Sequence, residues 1–168
     1  LEEGWRALAV TRARMEQIAE RVAPGYGVAA ALDSLETDRP RAAQLVPYVA
    51  AQLDTIRMFL RRKGLVTMPA HENLIVRETP VFRRSLSFAS MDAPGVWERS
   101  ASTAYYNVTP IEPEWTERQQ KDHLGFFNRW ASGIVSVHEA LPGHYYQFLA
   151  RKRMRSLLRQ FLSSGTNT

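Results

Sequence analysis

Apolar residues recur at helical spacing in three stretches of this 168-residue chain. Residues 2 to 23 place Trp5, Leu8, Met15, Ile18, Ala19 and Val22 along one face, the three- and four-residue rhythm of an amphipathic helix. Pro24-Gly25 ends that run. Residues 38 to 63 repeat the rhythm with Leu45, Val49, Leu53, Ile56 and Leu60, and Gly64 supplies a stop. Pro47 lies inside the second run, where it starts a new segment or kinks the helix. Both stripes read as helix-on-helix core. Residues 124 to 141 carry Phe127, Trp130, Ile134, His138 and Leu141 at the same intervals. "PEWTERQQKD", residues 113 to 122, reads as a helix with proline near its first turn and acids at its positive end.

Between the helical regions the pattern changes. "ENLIVRET", "SLSFAS" and "TAYYNVT" are short, β-branched or aromatic, and bounded by Pro, Gly, Asp and Asn, which predicts strands. The resulting expectation is a mainly helical, α+β chain: helices over 1–64, a small antiparallel β region over 65–112, and helices again over 113–168. Tyr105, Tyr106 and Asn107 lie on one of these strands. A sheet edge there could pair with an extended peptide, but aromatic packing on a half-buried strand is the simpler reading.

Composition narrows the classes. No apolar run approaches the roughly 20 residues of a membrane span, and no segment reads as a signal peptide. With no cysteine, disulfides, iron–sulfur clusters and thiolate zinc sites are excluded. The charge balance is basic, 22 Lys plus Arg against 17 Asp plus Glu. Arg151, Lys152, Arg153, Arg155 and Arg159 crowd the C-terminal end. Nucleic-acid binding needs interleaved aromatics or a reader motif as well as charge; neither is present, so this stretch reads as a solvated basic helix face. Leu1 opens straight into a helical pattern, and "SSGTNT" closes in a polar, turn-like stretch. The chain is therefore expected to be a single fragment of a longer protein.

The chemistry concentrates in "VSVHEALPGHYYQ", residues 135 to 147. Zinc peptidases commonly place two histidines four residues apart on one helix face, with a glutamate beside the first. Here His138 and His144 are six apart. On a continuous helix that spacing would splay them by about 120°. Pro142 has no N–H for the carbonyl of His138 and crowds it, and Gly143 can take backbone angles that other residues avoid. The helix is expected to break between Ala140 and Gly143, letting the turn re-aim His144 toward His138. Two neutral imidazoles are suitable zinc ligands, and Glu139 is placed to accept a proton from a metal-activated water and pass it on. Taken alone, His138 on an apolar stripe would read as a core histidine.

The stretch "SVHEALPGHYYQ" resembles the signature of bacterial domain-of-unknown-function family 885, whose members are similar to zincin metallopeptidases. The resemblance continues through "RETPVFRRSLSFASMDAPG", "AYYNVTP" and "HLGFFNRWASGIVS", and weakly into the N-terminal helices. It implies a zincin-like, largely helical fold with a small sheet, and a zinc-dependent hydrolase site with His138 and His144 as metal ligands and Glu139 as general base. It also implies a third ligand, a glutamate on a later helix in an E-G-W-type segment. After His144 this chain has no Asp, Glu or His, so that ligand is expected outside it, and the fragment is expected to be inactive alone. "EEGW" at residues 2 to 5 mimics the segment on the wrong side of the motif, and Glu3 reads as a surface acid.

Other residues offer less. His71-Glu72 sits in a loop with no partner histidine nearby and reads as chance. His123 lies fifteen residues before His138, roughly 22 Å away on a continuous helix. Tyr145 and Tyr146 follow His144, with core packing as the default. The implied partner is a peptide-like substrate, with no nucleic acid and no membrane. The rivals are a metal-free scaffold of the same fold and a basic helical module contacting anionic partners.

Overall fold

The computed structural model describes residues 1–162; the polar stretch at 163–168 lies outside the described residues. The chain forms a mainly helical α+β fold with seven helices and a three-stranded sheet among these residues.

Helix α1 (Glu2–Val22) and helix α2 (Gly27–Leu35) form an N-terminal pair. Gly25 and Gly27, at φ 80° and 75°, make the turn between them, backbone angles that a side chain disfavours. The α1 stripe does not become core. Ala19 alone is buried, while Trp5 is 69% exposed and Leu8, Met15, Ile18 and Val22 each exceed 40%. The helix is where periodicity places it, but its main packing partner is the short α2, too small to cover a six-turn stripe.

Helix α3 (Leu45–Lys63) meets the expectation that α1 does not. Leu45, Val49, Leu53 and Leu60 are buried, each at 4% exposure or less, and each such side chain withdrawn from water contributes roughly 1.5–3 kcal/mol. Pro47 is the third residue of α3, inside the first turn where no intrahelical N–H is required. It therefore opens a segment, and the expected 38–63 run begins instead with a 3-10 turn at Ala42–Gln44. Gly64 closes α3 in the left-handed conformation at φ 59°. Arg61, Arg62 and Lys63 occupy its negative end.

Strands β1 (Leu74–Glu78), β2 (Ala89–Asp92) and β3 (Ala104–Val108) lie in the order β1-β3-β2. The expected antiparallel region is in fact mixed: β2 runs antiparallel to β3, but β1 runs parallel to it, Leu74 opposite Ala104 through Glu78 opposite Val108. The segment after β1 does not make a hairpin. It passes through a 3-10 turn at Val81–Arg83 and carries the chain to the far side of β3. Arg84 pins this connection by donating to the Thr79 carbonyl at 2.8 Å and to Glu112 at 3.0 Å. Central β3 has no free edge, so the Tyr105–Asn107 segment cannot accept a peptide strand. Tyr106 packs instead.

Ala89, Ala104, Tyr106 and Val108 face the helices and share a core with α3, Phe127, Leu141 and Tyr145. The opposite face carries Arg77, whose guanidinium lies 3.5 Å from the Tyr105 ring centroid and donates to Asn107 at 2.8 Å. Helix α4 (Glu117–Phe126) starts four residues later than the proline suggested, because Thr116 and Gln119 form a reciprocal capping box there. Helices α5 (Arg129–Glu139), α6 (Gly143–Arg153) and α7 (Leu157–Leu162) complete the described chain.

Candidate metal centre

Asn128 starts α5 by accepting from the amides of Trp130 and Ala131, both at 3.0 Å. The helix is inside out relative to its sequence pattern. Ser132 and Ser136 are buried, whereas Trp130, Ile134, Val137 and His138 are exposed, Ile134 at 72%. The bulk that fills the space between α5 and the sheet comes from Tyr106, whose hydroxyl lies 3.2 Å from Ser136 Oγ. A small polar residue fits against that ring where an isoleucine would not. Burial pushes the Tyr106 hydroxyl up to about 12, against the bond to Ser136, and the nearby Glu139 charge adds to the rise. His138 is therefore not a core histidine, and the stripe seen in the sequence is solvent-facing over its middle; only Phe127 and Leu141, outside α5, are buried.

The helix breaks where the Pro-Gly pair stands. α5 ends at Glu139, and the amides of Ala140 and Leu141 both donate to the Ser136 carbonyl, at 3.0 and 3.1 Å. The Leu141–Pro142 peptide is cis, and α6 begins at Gly143 with Pro142 as its cap residue. Gly143 acts differently from expectation. Its φ is not positive; what matters is the missing side chain, because a Cβ there would overlap the backbone carbonyls of Val137 and His138. The α5 and α6 backbones meet too closely for any other residue.

This break brings the three motif residues together. The His138 and His144 rings have centroids 4.7 Å apart at 82° to each other. One donor atom each from His138, Glu139 and His144 lies within 4.8 Å of the other two, with His138 exposed and the other two partly buried. Two imidazole nitrogens are donors that zinc accepts, and the carboxylate beside them is a group able to take a proton. A groove of about 740 Å³ between α3 and α5 has none of the three in its lining, which includes Gln52, Trp130, Ile134 and Val137.

Two neighbours of the cluster were not legible in the sequence. Glu139 Oε2 accepts from the Met91 amide at 3.0 Å. Phe88, three residues earlier, gives its carbonyl to Thr109 of the β3 side, so by antiparallel alternation the Met91 amide points to the free edge of β2. Glu139 thus occupies an edge position that a further strand would otherwise use. The second neighbour is Gln147, whose Oε1 lies 2.7 Å from His144 Nδ1. Phe148 stacks on the same imidazole, with centroids 5.9 Å apart.

The other candidates fall elsewhere. Glu3 is exposed in the first turn of α1 and outside the cluster. His123 is buried among Phe88, Trp115 and Phe127, with Nε2 2.8 Å from the Thr109 carbonyl; burial lowers its pKa. Glu72 pairs with Arg57 and lies outside the His138, Glu139 and His144 cluster. Tyr145 and Tyr146 turn away from the cluster: the Tyr145 hydroxyl accepts from the Asn73 amide at 3.1 Å, and the Tyr146 hydroxyl donates to Met68 sulfur at 2.6 Å. Burial pushes the Tyr146 hydroxyl up to about 12. Arg151, Lys152 and Arg153 form the last turn of α6.

Fold and site together define an α+β protein with a His-Glu/His cluster at a helix break. The chain belongs to the family described as bacterial protein of unknown function, DUF885, whose model matches residues 1–167. It is also similar to the solved structure of a candidate lipoprotein of unknown function from Shewanella oneidensis, at 27% identity and a TM-score of 0.78. That likeness covers 98% of this chain and 31% of the other, so the chain spans about a third of the length of the structure it matches. No curated protein matches the chain.

Proposed function

We propose that this chain carries the zinc-binding, proton-transferring segment of a zincin-type hydrolase, with peptide bonds as its substrate class. The reading rests on one observation: donor atoms of His138, Glu139 and His144 lie within 4.8 Å of one another across a helix break. A zinc ion held there supplies the Lewis acidity needed to hydrolyse an amide. The residues contribute the rest. His138 and His144 hold the ion through their imidazoles. The Met91 amide holds one oxygen of Glu139 against the β2 edge, leaving the other free to take a proton from the attacking water and deliver it to the leaving amine. The partner is a peptide-like substrate rather than nucleic acid or membrane.

Two imidazoles and a base are fewer groups than a catalytic zinc site uses, which has three protein ligands. The third ligand belongs outside these residues, so the 168-residue chain alone is expected to lack hydrolytic activity. The test uses the longest natural polypeptide containing this segment. Its zinc content after gentle purification is measured, then its hydrolysis of a peptide mixture. Glu139→Gln should keep the metal and lower hydrolysis by about 10²–10⁴-fold. A natural polypeptide that takes up no zinc, or a Glu139→Gln variant as fast as wild type, refutes the reading.

A further inference from the structure

We infer that Gln147 is a positioning residue that sets the tautomer of His144, presenting Nε2 with its lone pair toward His138 and Glu139. The inference rests on the metal-site reading above and assigns a role within it to a residue outside the His-Glu/His set.

A neutral imidazole has one N–H and one lone pair, and the hydrogen bond made by one nitrogen decides which atom carries which. The Gln147 carbonyl oxygen only accepts, so at 2.7 Å from Nδ1 it requires the proton on that nitrogen. Nε2 is then the sole lone pair on the ring. The arrangement is local: both residues lie in the first two turns of α6, three apart, where side chains share a face. Phe148 stacks on the ring at an interplanar angle of 19° and restricts its rotation. Gly143 brings α6 hard against the end of α5, so an oriented His144 ring already faces His138.

His138 provides an internal control. It is exposed, and among the described residues its ring has no hydrogen-bond partner. One histidine of the pair is pre-set and the other is free to adjust. Residues that orient metal-ligating histidines in this way typically contribute 10–100-fold to metal affinity.

The experiment compares wild type, Gln147→Leu and Gln147→Glu in the longest natural polypeptide containing this segment, each checked for unchanged helix content by circular dichroism. Ring ¹⁵N–¹H correlation spectra are taken without metal, at a pH where both imidazoles are neutral. The wild-type His144 ring should carry its proton on Nδ1. Gln147→Leu should shift it toward the Nε2–H form, and Gln147→Glu, which keeps an acceptor, should retain Nδ1–H; the His138 signals should be the same in all three. Zinc titration should show Gln147→Leu about 10–100-fold weaker and Gln147→Glu at least as tight as wild type. An Nε2–H ring in wild type, or a Gln147→Leu variant with unchanged tautomer and zinc affinity, overturns the inference. If wild type binds no zinc while its spectra show Nδ1–H, the metal reading fails and the tautomer assignment stands.

Discussion

Helices α1 and α3 carry nearly the same hydrophobic rhythm and meet opposite fates. The α3 stripe is sealed against the sheet and α5, with Val49 at 0% and Leu53 at 1% exposure. The α1 stripe packs mainly on α2 and leaves Trp5, Leu8 and Met15 in solvent. Helix α5 makes the same point more sharply, since its serines are covered and its tryptophan and isoleucine are not. Periodicity identifies a helix and a face that gains from cover. It does not say whether the cover lies within the same stretch of chain, nor whether a neighbouring ring has already filled the space.

The largest expected contrast is between matched deletions on the two helices. Leu53→Ala should destabilise the fold by about 2–5 kcal/mol in denaturant titration, whereas Leu8→Ala should stay within about 0.5 kcal/mol. Equal losses would mean that α1 is covered after all.

The histidines extend the comparison to pH. Burial depresses the His123 pKa, so its neutral form belongs to the folded state. That contribution is complete above the ordinary histidine value of about 6.5 and is lost as pH falls from there through the depressed folded value. The slope is at most about 1.4 kcal/mol per pH unit for one proton. His123→Gln should flatten the acid limb of the stability curve. An unchanged limb in His123→Gln would place the proton uptake elsewhere.

Caps give the smallest contrast. Asn128 accepts two amides at the start of α5, whereas Tyr26 gives α2 no side-chain cap. Asn128→Ala should cost about 1 kcal/mol in thermal or chemical unfolding. Tyr26→Asp should recover less, because the end it would cap belongs to the thinly covered N-terminal pair. A larger gain at Tyr26 than loss at Asn128 would reverse the order of the two regions.

Much of the architecture was readable along the chain. The two long helices, three short strands and the interruption at Pro142-Gly143 follow from spacing and from what proline and glycine do to a backbone. Helix α2 escaped because "GVAAALDSL" is short and alanine-rich, without a polar face to set a period. The parallel pairing of β1 with β3 escaped because strand direction depends on where the 79–88 connection crosses, and that path is held by Arg84 reaching Glu112, 28 residues away. The importance of Gly143 was visible, but its reason was not: local rules point to backbone angles, and the structure points to a carbonyl where a Cβ would stand.

The candidate centre divides along the same line. Whether a straight helix could run from His138 to His144 is settled within six residues, because proline removes a donor and its ring blocks the preceding turn. The expectation that these histidines approach each other therefore needed no knowledge of the rest of the chain. What holds Glu139 in place did need it. Its anchor is an amide 48 residues distant, exposed on a strand edge only because β2 settled on the outer side of β3 and α5 came to rest beside it. Local sterics act between neighbours in sequence, whereas hydrogen bonding to a distant backbone awaits the assembled fold.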